Sequence, residues 1–143
     1  MIKAFRHFGI VVSDLSKMRD FYAKLGFVVE SHDIESGSFI EQVVDIESAK
    51  IEWYKMRSSD GCLVELLKYE NDVLPLVSHV KKSSEMGISH FAITVDNIDD
   101  ACDNIVKWGG SLKNLPAISP NGKVKVVYCH DPEGGLIEMV EEL

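Results

Sequence analysis

"HFGIVV" at residues 7–12 and "HFAITV" at residues 90–95 are the stretches that decide the fold. Each sets a histidine at the head of an alternating run rich in β-branched residues, the pattern of a strand with one packed face. The correspondence extends outward at a constant offset of 83: His7, Phe8, Ile10, Val12, Leu15 and Gly26 match His90, Phe91, Ile93, Val95, Ile98 and Gly109. Further along, the offset becomes 73, where Leu63, Val64 and Glu65 match Leu136, Ile137 and Glu138. A fixed order of matches marks an internal repeat, the second copy having the shorter internal connection.

A helix is predicted after each opening strand. Ser13 or Asp14 can cap the first, whose apolar stripe is Leu15, Met18, Phe21, Tyr22 and Leu25 before Gly26. Asp96 or Asn97 can cap the second, with Asp99, Asp100 and Asp103 near the positive end of its dipole. Its stripe is Ile98, Ala101, Cys102, Ile105 and Trp108, ahead of Gly109 and Gly110. Further strands are predicted at "FVVESHDI", "KIEWYKM", "CLVELLKY", "GSLKNL", "KVKVVYC" and "GLIEMVEE", while 38–46 reads equally as a helical turn or a strand. The expectation is therefore an α+β chain of two tandem βαβββ modules, residues 1–69 and 87–143, joined by a partly helical connector over 70–86.

Bulk properties exclude several classes. With 45% apolar and 27% charged residues, the 143-residue chain has an ordinary globular composition and can bury a core without disulfide or metal. Its net charge of −8, with no basic stripe, disfavours nucleic acid and anionic lipid as partners. No membrane-length apolar run and no secretory signal is evident. Three cysteines without a CxxC read as reduced thiols of a cytoplasmic protein. Cys129 beside His130 does not make a thiol nucleophile, because adjacent strand residues face opposite ways.

The same parity rule groups the candidate site. His7, Gly9 and Val11 share one face of the first strand, and His90, Ala92 and Thr94 share one face of its counterpart. These sets are small, leaving room above the sheet. Glu65 and Glu138 interrupt strongly apolar strands, where a carboxylate is costly unless it is paired or binds metal. A single strand histidine or glutamate is ordinarily structural. The same pair written twice points instead to a pseudo-twofold site of two imidazoles and two carboxylates for a divalent cation.

At "HFGIVVSDLSKMRDFYAKLGF", "LVELLKY", "ISHFAITVDNID" and "DPEGGLIEMVE" the chain resembles the vicinal oxygen chelate superfamily, over essentially its whole length. That superfamily includes glyoxalase I, methylmalonyl-CoA epimerase, fosfomycin-resistance enzymes, extradiol dioxygenases and bleomycin-resistance proteins. The resemblance implies paired modules forming a curved mixed sheet around a metal cleft, with His7, Glu65, His90 and Glu138 as ligands. It also implies one divalent ion (Zn, Ni, Co, Mn or Fe), a small-molecule substrate and a homodimer, each cleft being expected within one chain. Four protein ligands leave two cis positions of an octahedron. A substrate with vicinal oxygens can chelate there, the ion acting as a Lewis acid toward an enolate. A carboxylate, Glu138 or Glu65, can then move a proton next to the carbonyl. Dioxygenases and fosfomycin-resistance enzymes use two histidines and one carboxylate, so Glu65 counts against both. All four ligands being present argues against a metal-free drug-binding protein.

Among isomerase-type relatives, methylmalonyl-CoA epimerases use a further glutamate before the third strand, matched best by Glu47 and less well by Glu41. Glyoxalases bind the glutathione carboxylate with an arginine four residues after the first ligand, and place an asparagine four residues after the second. This chain has Val11 and Tyr69 at those positions. Arg6 and Arg57 are the arginines that would have to compensate. The "ELL" at Glu65–Leu67 is epimerase-like. The expected activity is thus epimerase-like proton transfer on an acyl thioester or small oxo-acid, with a lactoylglutathione lyase as the alternative. His32 and His79 fall outside the matched motifs and are read as surface residues, and His130 as a candidate for the pocket rim.

Overall fold

The computed structural model describes residues 1–71 and 82–143. The chain divides into two compact units, Met1–Pro75 and Leu76–Leu143.

In the first unit, β1 (Phe8–Val11) leads into α1 (Leu15–Lys24), followed by β2 (Val28–Ser36), α2 (Ser38–Val44), β3 (Lys50–Arg57) and β4 (Leu63–Tyr69). The sheet order is β1-β4-β3-β2, with β1 parallel to β4 and the other pairs antiparallel. The side chain of Asp14 caps α1 by accepting from Lys17 N at 3.0 Å. Gly26, at φ +99°, turns the chain out of the helix, and Phe27 N donates back to Tyr22 O at 3.1 Å. Leu15, Met18, Phe21 and Tyr22 are buried with Val12, Met56, Val64 and Leu66. Their burial is what fixes which way β1 and β4 face.

The ambiguous segment resolves as α2, a helix, and Asp45 closes it in the left-handed region at φ 56°. Ile40 of this helix, with Ala49, Ile51 and Trp53, forms a second apolar cluster, against which Val44, Ile46, Leu67 and Tyr69 pack. Ile51, Trp53 and Leu67 share strand parity with Glu65's face, so this cluster lies on the sheet surface opposite α1. Tertiary burial of Ile40 chose the helix where periodicity alone was silent.

In the second unit, β5 (Phe91–Thr94) and α3 (Ile98–Lys107) precede β6 (Ser111–Leu112), β7 (Ala117–Ile118), β8 (Val124–His130) and β9 (Leu136–Glu142). The order is β5-β9-β8-β6, with β7 also paired to β8, and β5 again parallel to its neighbour β9. Asn97 caps α3 by accepting from Asp100 N at 2.9 Å, and Gly110 N closes it on Ile105 O at 2.9 Å. Beneath α3 lie Val127, Cys129, Ile137 and Met139, all buried.

One expected strand needs correction. The strand read over "GSLKNL" contracts to Ser111–Leu112, and a separate pair of residues, Ala117–Ile118, supplies the remaining contact with β8. Pro116 lies between them and lacks the N–H that a continuous ladder would need. The expected α+β architecture of two tandem modules holds, as two mixed sheets of four and five strands, one in each unit. Most of the expected connector, with Pro75 and His79, lies outside the described residues, and its described end over 82–86 is turn rather than helix.

Candidate functional site

Each unit presents one imidazole–carboxylate pair at its parallel strand pair. On β4, Glu65 stands between Gly9 of β1 and Lys55 of β3. His7 precedes β1, and its Nε2 lies 3.0 Å from Glu65 Oε2. On β9, Glu138 stands between Ala92 of β5 and Tyr128 of β8, and His90 Nε2 lies 3.0 Å from Glu138 Oε2. A glycine or alanine on one flank of each carboxylate leaves the face open: Gly9, Val11, Ala92 and Thr94 are all exposed. Val64 and Leu66 of β4, and Ile137 and Met139 of β9, are buried on the opposite parity, toward the helices, so the parity expectation holds.

The neighbours of the two pairs differ. Lys55 Nζ approaches the other carboxylate oxygen, Glu65 Oε1, at 3.4 Å, and rests 4.3 Å from the centroid of the Trp53 ring. Tyr128 instead meets its histidine: the two rings are edge-to-face at 4.9 Å, with the hydroxyl 3.5 Å from His90 Nε2. His90 Nδ1 is 3.1 Å from Ser89 Oγ, which in turn donates to Ser83 O. Such contacts on the second ring nitrogen orient an imidazole. Sequence reading missed Lys55 and Tyr128, although the offset of 73 that relates Glu65 to Glu138 also relates these two.

The donor set suits a divalent ion. Two donors about 2.1 Å from one ion and cis to each other lie roughly 3 Å apart, and imidazole nitrogen with carboxylate oxygen is a common pairing for such metals. Both pairs have that spacing. Among the described residues, no group of three or more His, Cys, Asp or Glu lies close enough together to hold an ion.

Other candidates fall elsewhere. Glu47 is exposed on the turn between α2 and β3, and Glu41 sits in the first turn of α2. His32 stacks on Tyr54 at 4.1 Å and pairs with Glu52 at 2.9 Å, on strand positions of opposite parity to Glu65's cross-strand neighbour Lys55. Arg57 is held by both oxygens of Glu30 and by Gly61 O, each at 2.8 Å, so it is committed to the surface of its own hairpin. Its guanidinium also keeps the Glu30 carboxyl below the ordinary range. His130 is buried, as is Asp131, whose Oδ1 accepts from Glu133 N and Gly135 N to shape the turn into β9. The Cys129 thiol is fully buried, and burial pushes it up to about 12, which removes it as a nucleophile.

A family model for the Glyoxalase/Bleomycin resistance protein/Dioxygenase superfamily matches residues 4–139. The chain belongs to this superfamily. Among glyoxalase-superfamily relatives, it is 27% identical over 138 residues to a protein named probable lactoylglutathione lyase from Synechocystis sp., covering 94% of this chain and 92% of that one. A lactoylglutathione lyase from Escherichia coli O157:H7 is 34% identical over 53 residues, 37% of this chain and 39% of its own. The fold matches a crystal structure of a glyoxalase family protein from Bacillus cereus with TM-score 0.91 at 22% identity, covering 100% and 96% of the two chains. A fosfomycin resistance protein from Listeria monocytogenes, crystallised with Mn(II) and sulfate, gives TM-score 0.61 at 16% identity over 100% and 95%. The superfamily contains many metal-dependent enzymes acting on small molecules. Among the described residues no helix is long and apolar enough to cross a membrane.

Proposed function

We propose that this chain is a metal-dependent enzyme that moves a proton next to a carbonyl in a small oxo-acid or acyl thioester, an isomerase or epimerase in type. The observation that carries the reading is the repeated pair, His7 with Glu65 and His90 with Glu138, each at 3.0 Å on an open sheet face. In this reading His7, Glu65, His90 and Glu138 hold one divalent ion, which supplies Lewis-acid polarisation of the carbonyl. Glu138 is the carboxylate assigned to the proton. Its cross-strand position holds Tyr128, whereas Glu65 has Lys55 against its second oxygen. Gly9 and Ala92 leave room for substrate beside the carboxylates. Glu47, exposed on the turn between α2 and β3, is retained as the candidate second base.

Lactoylglutathione lyase activity is the second reading, favoured by the Synechocystis relative that matches nearly the whole chain. Against it stand Val11, whose exposed side chain offers no charge for a peptide carboxylate, and Tyr69, which packs on the Trp53 cluster. Arg57 is bound to Glu30 and does not replace the missing arginine. The test is proton–deuterium exchange followed by NMR, on metal-reconstituted protein, against 2-oxo acids, acyl-CoA thioesters and the methylglyoxal–glutathione hemithioacetal. Exchange on an oxo-acid or thioester, lost in Glu138→Gln, supports the first reading, and Glu47→Gln reports separately on the second base. Turnover of the hemithioacetal alone reverses the order.

A further inference from the structure

The row Gly9–Glu65–Lys55 places an ammonium directly beside the first imidazole–carboxylate pair. Opposite charges facing each other across strands are ordinarily a structural pair. Three observations take Lys55 further. Its separation from Glu65 Oε1 is 3.4 Å, long for a charge-assisted hydrogen bond, so much of its donor capacity is unspent on that oxygen. The Nζ is held above the Trp53 ring and the side chain keeps 30% of its exposure, so the charge is fixed in place yet open to solvent. And the repeat puts Tyr128, an uncharged residue, at the equivalent position, so the cation serves the first module alone.

The chain as a whole carries a net charge of −8 and repels anions. A local cation at the open face offsets that repulsion for an anionic substrate, and Lys55 supplies one besides the proposed ion. We infer that Lys55, seated on Trp53, is a specificity-determining residue that binds a carboxylate of the substrate lying next to the reacting carbonyl. The class this selects, within the proton-transfer reading on which the inference rests, is the 2-oxo acid or the carboxylated acyl group, over its neutral ester.

The test compares 2-oxobutyrate with its methyl ester, titrated by ligand-observed NMR into the Zn2+-loaded full chain. Wild type should prefer the acid, and Lys55→Met should lower that preference by roughly 10- to 100-fold, the worth of one charge-assisted hydrogen bond. Lys55→Arg should restore most of it, and Lys68→Met, on the opposite face of β4, should leave it unchanged. Zinc content and thermal melts check each variant. Raising ionic strength should shrink the preference in wild type, a readout that needs no variant to fold. A wild type that does not prefer the acid, or a Lys55→Met preference equal to wild type, overturns the inference. Deuterium exchange on a neutral thioester would then still stand, so failure of Lys55 is distinguishable from failure of the proton-transfer reading.

Discussion

The two modules carry the same imidazole–carboxylate pair at the same spacing, and they differ in nearly everything that touches it. In the first, Lys55 and Trp53 border Glu65, and the Ile40–Trp53 cluster under α2 covers the neighbouring part of the face. In the second, Tyr128 leans on His90 and Ser89 approaches its other nitrogen. The donors are constrained by what they would bind, so the repeat preserves them. The surroundings are constrained only by packing and by whatever lies on the open face, and there the copies are free to diverge. One half thus offers a cation seated on a buried indole, the other the ring and hydroxyl of a tyrosine.

The turn after the opening helix shows the same divergence in the core, and the largest expected effect lies there. Phe27 and Gly110 occupy equivalent helix-closing positions, donating to Tyr22 O and Ile105 O. Phe27 is buried against Tyr22, ring centroids 5.9 Å apart. A side chain at Gly110 would collide with the His130 carbonyl oxygen and with Ile105. Phe27→Ala should cost about 3–5 kcal/mol by leaving a cavity, and Gly110→Ala about 1–3 kcal/mol by overpacking. Urea titrations measure both, and similar small losses at the two sites would mean that the two turns are interchangeable after all.

Next in size is the metal test of the pairs. His7→Ala and His90→Ala should each weaken divalent-ion binding by more than about 100-fold, beyond what loss of an orienting contact produces. His32→Ala should bind as wild type, because its imidazole belongs to Tyr54 and Glu52. Metal content after dialysis decides this. Loss in only one histidine variant would show that one module binds alone.

The smallest effect concerns what the repeat has kept alike. Asp14 and Asn97 cap their helices with near-identical geometry, at 3.0 and 2.9 Å. Replacing either with alanine should cost about 1 kcal/mol, and the two losses should agree within experimental scatter. A marked difference in thermal melts would show that one helix start draws on contacts the other lacks.

Much of this molecule is local, and what is local was legible. Helix starts follow from Asp14 and Asn97, helix ends from Gly26 and Gly109, and the open faces from strand parity at His7 and His90, because caps, left-handed turns and alternation depend on near neighbours in the chain. The repeat made Glu65 and Glu138 stand out as a set, since two carboxylates at equivalent points of apolar strands need a common explanation. What remained hidden was settled by contacts between separate elements. The helix at Ser38–Val44 exists because Ile40 meets Ala49, Ile51 and Trp53, and the strand after α3 broke because Pro116 cannot donate to β8. Which side chain flanks each carboxylate depends on cross-strand register: Lys55 falls beside Glu65, and Tyr128 beside Glu138. The sequence by itself therefore determined the repeat, the opening strand and helix of each copy, and the two histidines and two glutamates proposed as donors. Only the tertiary structure decided their neighbours, because the register of the β3–β4 and β8–β9 hairpins is set by their turns and by burial of one face, which strand parity alone does not give.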